Sequence, residues 1–238
     1  MPRILLKLSG EQLAGEESRG FDPERVTWIA NQIKAAKESA PDTEFVVVVG
    51  AGNFVRGEYF ANSQINRVTA DNMGMLAIVI NALGMADIFN ACGLETAALS
   101  NIFAEQVIDS YTPRRALNHL RKGRVVIVAG GTGRPYFTSD MSAACIAMEL
   151  GCEVVAKATK VDGVYDSDPA KNPDAKLLPE INFNEAITNS AIRVMDKAAL
   201  ALIAENHRSV IVFELLKDGN ITKLAKGERL GSLVKEDI

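Results

Sequence analysis

Short runs of apolar residues alternate along the chain with longer segments of helical periodicity. The apolar runs predict six β-strands, at residues 4–8, 45–49, 96–100, 124–129, 153–158 and 209–214. Between the first two, Asp22 and Pro23 form a helix-start signal, and apolar residues between 26 and 40 recur at helical spacing. Four consecutive valines at 46–49 predict a central strand that is buried on both faces. The alternation therefore predicts an α/β fold whose sheet is mostly parallel and covered by helices.

Two further segments bear on the organisation of the chain. The most apolar segment, residues 73–89, is interrupted by Asn81 and Asp87 and falls short of the roughly 20 apolar residues of a membrane span, so it predicts a buried or interface helix. Residues 160–179 are rich in Asp, Pro, Asn and Lys and predict a loop, either over a ligand or on the surface. Because no long polar linker is present, we expect residues 1–238 to form a single domain.

Composition narrows the classes of partner. The chain has 238 residues and a formal net charge of -4, so no overall positive field favours nucleic acid or an anionic membrane, and an anionic ligand needs a local site. Three cysteines without a C-x-x-C pair and two distant histidines predict neither a disulfide framework nor a metal site built by the protein. The first residues lack the pattern of a signal peptide, so we expect a cytoplasmic protein.

Candidate chemistry follows three of the predicted strands, where a parallel sheet collects its ligands. The first such segment is Lys-Leu-Ser-Gly at 7–10. Lys7 at the strand rim would offer a cation to a transferring phosphoryl group, and Ser9 and Gly10 would offer hydrogen-bond donors and a tight turn. The alternative is an ordinary lysine before an ordinary turn.

The second segment, Gly-Ala-Gly-Asn-Phe-Val-Arg-Gly at 50–57, follows the valine strand. Its glycines permit close approach of an anion, which Arg56 could clamp. A Walker A loop is excluded because Glu58 and Tyr59 stand where Lys and Ser or Thr are required, and Val55 replaces the third glycine of the dinucleotide-binding pattern. The segment is either an anion-binding turn or only a tight loop.

The third segment, residues 130–140, combines glycines, hydroxyls, two aromatic residues and Asp140, which could together hold phosphate, face a base or sugar and orient a cation. Thr138 or Ser139 could equally cap the helix that follows. Farther on, Tyr165 could pack on a purine and Asp168 could bind a ribose hydroxyl, or both could belong to turns. The role of Asp71, at the start of the apolar helix, is not decided by its position.

Taken together, the motifs resemble those of the bacterial uridylate kinases (UMP kinases), members of the amino acid kinase family. They are Lys-Leu-Ser-Gly at 7–10, Gly-x-Gly-Asn-x-x-Arg-Gly at 50–57, Asp-x-Met-Gly-Met at 71–75, Gly-Thr-Gly-x-Pro-Tyr-Phe-Thr-x-Asp at 131–140, Lys-Ala-Thr-Lys-Val-Asp-Gly-Val-Tyr at 157–165 and Val-Met-Asp at 194–196. The resemblance implies a three-layer αβα sandwich with a mostly parallel central sheet. It also implies a homohexamer that transfers the γ-phosphoryl group of MgATP to UMP, giving UDP and ADP in pyrimidine nucleotide biosynthesis.

The resemblance also implies roles for individual residues. Lys7, Arg56, Asp140 and Asp196 would be catalytic, the two carboxylates orienting the cationic groups and the metal at the reaction centre. ATP would be held by Lys7, Leu8, Ser9, Gly10, Gly52, Arg56, Thr159, Tyr165 and Asp168. UMP would be held by Ala51, Asp71, Thr132, Gly133, Arg134, Pro135, Tyr136, Phe137, Thr138 and Ser139. Mg²⁺ would arrive with the phosphates of ATP, and no protein metal site is expected.

Two positions and one segment depart from the family pattern. Ala51 stands where a glycine is common, which places a methyl group near the acceptor phosphate, and Arg134 replaces a common asparagine and adds a positive charge. The segment Gly15, Glu16, Glu17, Ser18, Arg19 and Gly20 keeps the flanking glycines of a stretch that the family links to activation by GTP, but its middle differs. Allosteric regulation by GTP or UTP is therefore a hypothesis.

Two other functions compete with this reading. Another kinase of the same fold would phosphorylate a carboxylate or carbamate, against which the Asp-x-Met-Gly-Met and Pro-Tyr-Phe motifs speak. A non-catalytic nucleotide-binding regulator would have lost turnover, against which the retention of Lys7, Arg56, Asp140 and Asp196 speaks.

Overall fold

A computed structural model describes residues 2–17, 19–55, 64–169 and 171–236, with only the backbone at Glu17. The strands are β1 Arg3–Leu8, β2 Glu44–Val49, β3 Thr96–Ser100, β4 Asp109–Ser110, β5 Val125–Ala129, β6 Val154–Thr159, β7 Val164–Tyr165, β8 Leu177–Leu178, β9 Glu180–Asn182, β10 Ser209–Glu214 and β11 Ser232–Lys235. The α-helices are α1 Pro23–Ser39, α2 Arg67–Ala91, α3 Pro113–Leu120, α4 Ser139–Leu150, α5 Phe183–Thr188, α6 Lys197–Glu205 and α7 Asn220–Ala225. Two short 3-10 helices, Gly10–Leu13 and Gly15–Glu17, follow β1.

Nine of the described strands form one sheet in the order β4-β3-β5-β2-β1-β6-β10-β11-β9. Its neighbouring strands run parallel except for the antiparallel pair β10 and β11, and β7 pairs with β8 in a separate antiparallel ribbon. All six predicted strands are present, and the bounds of β3 and β10 match the prediction at both ends. The prediction of a mostly parallel sheet is confirmed.

Side chains of successive residues in the central strands enter opposite layers, as the pleat of a strand requires. Phe45, Val47 and Val49 of β2 pack in one apolar core, which α1, α2 and α7 cover. Val46 and Val48 pack in the other, which α3, α4, α5 and α6 cover. Helices on both faces of one sheet make the three-layer αβα architecture expected from the resemblance.

Helix α2 is longer than the apolar segment from which it was predicted. It begins after Asn66, whose side chain caps it by accepting a hydrogen bond from the Thr69 amide, and it runs for 25 residues. Its length and composition are those of a possible membrane span, which corrects the expectation that this segment is too short. In the structure it is a helix of the αβα sandwich, and Ala77, Ala82 and Phe89 are among the residues that it buries.

Two other helix starts bring polar residues to the carboxyl edge of the sheet. The hydroxyl of Thr138 accepts a hydrogen bond from the Met141 amide at 3.0 Å and begins α4, and the carboxylate of Asp196 accepts one from the Ala199 amide at 2.8 Å and begins α6. Both caps satisfy amides that a helix would otherwise leave unpaired. They also fix where Asp140 and Asp196 lie.

Candidate active site

The polar segments that follow β1, β2, β5 and β6 meet at one edge of the sheet because these parallel strands end in register. Leu8 lies beside Val49 across the β1–β2 pair, and Lys7 lies beside Lys157 across the β1–β6 pair. Both lysines share the face of the sheet that α4 and α6 cover, since Leu5 and Val155 pack there two residues earlier. Two ammonium groups on neighbouring strands therefore face the same helix layer.

One carboxylate lies between these two lysines. Lys7 Nζ is 2.7 Å from Asp140 Oδ1, and Lys157 Nζ donates a hydrogen bond of 2.9 Å to Asp140 Oδ2. The contact with Lys7 is an ion pair without hydrogen-bond alignment, because Oδ1 accepts no aligned hydrogen bond from any described group. Lys7 is only 7% exposed, and Asp140 and Lys157 are partly buried beside it. Asp140 thus neutralises both cations but gives its directed hydrogen bond to only one.

The charges in this cluster set the titration of its members. Burial acts to raise the pKa of Asp140, but the ammonium groups of Lys7 and Lys157 outweigh it and hold that pKa below its usual range. Burial lowers the pKa of Lys157, and attraction by Asp140 offsets this only in part. Asp140 is therefore a carboxylate at neutral pH.

The carboxylate of Asp196 joins the loop after β5 to the segment before α6. The Thr138 hydroxyl donates a short hydrogen bond to Asp196 Oδ2, while Asp196 Oδ1 caps α6. Lys157 Nζ donates a second hydrogen bond, of 2.7 Å, to the carbonyl of Val194. Segment 194–196 is thus fastened from both sides, to the start of α4 and to β6.

The turn after β2 packs tightly against the turn after β1. A Cβ atom on Gly10 would lie 2.4 Å from Asn53 Oδ1, 2.6 Å from the Gly52 amide nitrogen and 2.8 Å from the Gly50 carbonyl oxygen. Only glycine fits at this contact. The amide of Ser9 donates to Gln12 Oε1 at 2.8 Å, so this amide already has a protein partner.

Two buried amide side chains hold the turn at 51–55 in place. Asn53 Nδ2 donates to Asn81 Oδ1 at 2.8 Å, and Asn81 Nδ2 donates back to Asn53 Oδ1 at 2.9 Å. Asn81 also donates to the Gly50 carbonyl at 2.9 Å, and Asn53 donates to the Gly20 carbonyl at 2.8 Å. Asn81 has no exposed surface, so these bonds replace the water that the amide loses on burial. The pair fixes the turn to α2 and to the end of segment 15–20.

A cavity of about 680 Å³ lies between α2 and the loop after β5. The residues predicted to hold UMP that line it are Ala51, Asp71, Thr132, Arg134, Phe137, Thr138 and Ser139. Asp71 reaches across the cavity and accepts a hydrogen bond of 2.8 Å from the amide of Tyr136, whose φ is 71°. Arg67 pairs with the same carboxylate at 2.8 Å and lies over the Tyr136 ring. The side chain of Asp71 therefore holds a strained loop residue in position.

A second cavity, of about 420 Å³, lies beside the loop that follows β6. Tyr165 and Asp168 line it together with Ser190, Ala191 and Arg193. The Tyr165 hydroxyl donates to Asp162 at 2.6 Å, which fixes the ring. The Thr159 hydroxyl donates to the Val161 carbonyl at 2.6 Å and so shapes the same loop. An aromatic ring and a carboxylate in one cavity suit a base and a sugar.

A third cavity, of about 800 Å³, shares no lining residue with these two. Glu16, Arg19, Arg25 and Trp28 line it. Its link to the chemistry is indirect, through the Gly20 amide, which donates to the carbonyl of Asn53 at 3.0 Å.

Comparison with known proteins shows which family the chain belongs to. The sequence model of the amino acid kinase family matches residues 2–214. The chain belongs to the amino acid kinase family. It is 33% identical to the UMP kinase of Bacillus anthracis over all of this chain and 98% of that one, with a TM-score of 0.93. For the UMP kinase of Ureaplasma parvum the identity is 34% over 99% of both chains, with a TM-score of 0.90. The uridylate kinase of Archaeoglobus fulgidus, at 24% identity over 97% of this chain and 99% of that one, shares the fold with a TM-score of 0.73.

In this amino acid kinase fold, three of the four residues predicted to be catalytic lie in the contacts described above. Lys7 contacts Asp140 directly, and Asp196 is joined to them through Thr138 and the Lys157–Val194 bond. Arg56 lies outside the described residues, as does Ser18 of the segment predicted to respond to GTP.

The other predicted positions differ in what they offer a ligand. Leu8 is fully buried and its carbonyl accepts from the Gly50 amide, so an ATP contact there would be through the backbone. Gly52 adjoins Glu11 at the turn, while Gly133, Pro135 and Tyr136 belong to the loop but not to the cavity lining. The alternative of a helix cap is realised by Thr138, which also donates to Asp196.

Sequence reasoning missed two residues of the site. Lys157 stands in an otherwise uncharged strand, which is the signal that could have singled it out. Asn81 was counted only as an interruption of an apolar helix, but in the structure its buried side chain supports the turn at 51–55. Among the described residues, no group of three or more His, Cys, Asp or Glu side chains is arranged to hold a metal ion.

Proposed function

We propose that the protein is a UMP kinase, which transfers the γ-phosphoryl group of MgATP to UMP and releases UDP and ADP. The observation that carries this proposal is full-length similarity, at about a third of positions, to two proteins that are themselves UMP kinases. The cavity between α2 and the loop after β5 supports it, because the acceptor motifs line it. The product would serve pyrimidine nucleotide biosynthesis.

Catalysis in this proposal is mainly positioning and neutralisation of charge. An oxygen of the UMP phosphate attacks the γ-phosphorus of ATP, the bond to the bridging oxygen breaks, and ADP leaves with that electron pair. No general base is needed, because the attacking phosphate oxygen is already an anion at neutral pH. Lys7 would contact the transferring group, and Arg56 would bridge donor and acceptor. Asp140 and Asp196 would hold the cationic groups in position.

ATP would lie along the edge formed by the ends of β1, β2, β6 and β10. Ser9, Gly10 and Gly52 would line its phosphates, and Leu8 would contribute its backbone. Its adenosine would occupy the 420 Å³ cavity against Tyr165 and Asp168, beside Thr159. Mg²⁺ would be held by the phosphates, since both oxygens of Asp140 and of Asp196 already have protein partners.

UMP would occupy the 680 Å³ cavity, with Asp71 binding its ribose. The loop that contains Thr132, Gly133, Arg134, Pro135, Tyr136, Phe137, Thr138 and Ser139 would surround the nucleotide. Ala51 would stand beside the acceptor phosphate, and Arg134, which lines the cavity, would add positive charge there.

The same proposal includes a cytoplasmic homohexamer. Met73, Leu76 and Ile80 lie on one exposed face of α2, and Leu76 and Ile80 are each more than half exposed. Apolar side chains at this spacing suit a contact between subunits. Effector binding by segment 15–20, which borders the 800 Å³ cavity, would make the enzyme allosteric. Light scattering measures the assembly, and turnover with added GTP or UTP measures the regulation.

The test of the activity is release of ADP from MgATP with each acceptor in turn: UMP, dUMP, CMP, carbamate and acetylglutamate. Fast release with UMP and little with CMP is the expected result. Release with carbamate or acetylglutamate and none with UMP would replace the proposal by another phosphotransferase of the family. Tight ATP binding without turnover on any acceptor would favour a nucleotide-binding regulator.

A further inference from the structure

Lys157 is a largely buried lysine in a central strand of the sheet. Its neighbours in β6 are Val154, Val155, Ala156 and Ala158, and its side chain is only 19% exposed. A lysine is rarely buried without a partner, because desolvation of an ammonium group costs free energy. Here the partners are Asp140 Oδ2 at 2.9 Å and the Val194 carbonyl at 2.7 Å. Two of its three donor protons are therefore committed to protein oxygens.

The two lysines compete for one carboxylate, and they do so unequally. Lys157 makes the aligned hydrogen bond to Asp140, while Lys7 makes a close ion pair that lacks hydrogen-bond alignment. A charge-assisted hydrogen bond of good geometry is stronger than a misaligned contact at similar distance. Lys157 consequently gives Asp140 its directed hydrogen bond, while Lys7 keeps an ion pair of 2.7 Å with the other oxygen.

Lys157 also fixes the segment that carries Asp196. By donating to the Val194 carbonyl it ties residues 194–196 to β6, and the Thr138 hydroxyl ties Asp196 to the start of α4. One side chain thus joins the central sheet to both helix starts that border the reaction centre.

We propose that Lys157 is a positioning residue for phosphoryl transfer: it holds Asp140 and segment 194–196 in place and takes up one oxygen of the carboxylate that would otherwise pair wholly with Lys7. The proposal rests on the proposed kinase activity. Without Lys157, Asp140 would turn its full charge to Lys7 and withdraw it from the phosphoryl group. The effect should fall on the chemical step, because Lys157 lines neither nucleotide cavity.

The experiment compares kcat and KM, for ATP and for the acceptor, in Lys157→Met, Lys157→Gln and Lys157→Arg. Methionine keeps the length of the side chain but loses its charge and donors, glutamine keeps donors without charge, and arginine keeps both. Lys235→Met is the matched control. Lys235 pairs at 3.1 Å with Glu180, which lies on the edge strand β9. Urea unfolding at equal protein concentration reports whether each variant is folded.

We expect kcat of Lys157→Met to fall by about 100-fold or more while both KM values stay within about threefold, because misplacement of reacting groups by about an ångström has effects of that size. Lys157→Gln should lose at least about tenfold, and Lys157→Arg should recover most of the loss. The control should keep wild-type kcat. If Lys157→Met does not fold, the glutamine variant provides the comparison.

Two results would overturn the proposal. One is a folded methionine or glutamine variant with kcat within about threefold of wild type, which would leave Lys157 a purely structural role. The other is a rise in the KM for ATP at unchanged kcat, which would make it an ATP-binding group. If another acceptor proves to be the substrate, the UMP assignment alone fails and Lys157 is measured with that acceptor. Absence of turnover with every acceptor overturns both.

Discussion

Replacement of Asp140 by asparagine should destabilise the protein strongly, because it removes the carboxylate that separates two buried ammonium groups. Each lysine nitrogen lies within 2.9 Å of one oxygen of the same carboxylate, so the two ammonium groups lie close to each other. For two like charges about 6 Å apart, and with an effective dielectric constant of about 20, the repulsion is roughly 3 kcal/mol. Loss of one member of a buried ion pair typically costs about 3–5 kcal/mol. We expect the free energy of unfolding of Asp140→Asn to fall by about that amount.

Glu180→Gln is the matched control. Glu180 also lies between two cations, with Lys235 at 3.1 Å and Arg229 at 3.6 Å, but its side chain is 49% exposed. Exposed ion pairs contribute about 0–1 kcal/mol, so this variant should be nearly as stable as wild type. Both substitutions remove one negative charge and keep the shape of the side chain. The difference between their losses of unfolding free energy therefore measures the effect of burial.

The assay is urea unfolding at pH 7, at equal protein concentration so that any assembly affects all samples alike. For a chain of this size the predicted loss corresponds to a fall in Tm of roughly 6–20 °C.

The deficit in unfolding free energy of Asp140→Asn should shrink as the pH approaches 10. Repulsion by Lys7 acts to lower the pKa of Lys157 in the folded protein, and the substitution removes the attraction by Asp140 that opposes it. Lys157 of the folded variant then releases its proton at lower pH than in the unfolded chain, so the unfolded state binds more protons and stability rises with pH. A deficit at pH 7 no larger than that of Glu180→Gln would refute the reasoning.

Three further substitutions test other parts of the site. Asp71→Asn should raise the KM for UMP several-fold and leave the KM for ATP nearly unchanged, and equal changes in steady-state kinetics would contradict the ribose assignment. Asn81→Ala leaves Asn53 Oδ1 without its amide donor and should lower the free energy of unfolding by about 1–3 kcal/mol, measured in urea, whereas a neutral result would mean that water replaces the amide. Gly10→Ala places a methyl group 2.4 Å from Asn53 Oδ1 and should raise the KM for ATP or lower kcat, which unchanged kinetics in a folded variant would disprove.

The pattern of apolar residues was sufficient to predict the layers of the fold. Strands buried on both faces leave uninterrupted apolar runs, as in β2, and these runs survive without any knowledge of their neighbours. The two-residue strands β4, β7 and β8 were missed because two residues carry no periodicity. The order of strands was not predicted either, since it depends on which crossover each helix makes and not on local sequence.

The same limits apply within the site. The ends of three strands indicated phosphate chemistry, because glycines and hydroxyls after a parallel strand have a local meaning. Lys7 was expected at an accessible rim, where its loss would cost little stability. It is buried instead, because Asp140 at the start of α4 and Lys157 in β6 close over it. That burial arises from residues more than 130 positions away in sequence, so no motif around Lys7 could show it.

The negative net charge of the chain gives no indication that two lysines lie side by side in the candidate site. The proposed site for ATP and UMP needs cations because both nucleotides carry phosphate, yet two neighbouring lysines repel each other. Asp140 offsets that repulsion by pairing one of its oxygens with each ammonium group. A carboxylate in a phosphate-binding site therefore strengthens it, since it stabilises the ammonium groups in the folded protein before any phosphate is bound. Removing Asp140 to make the site more positive should for this reason weaken catalysis along with stability.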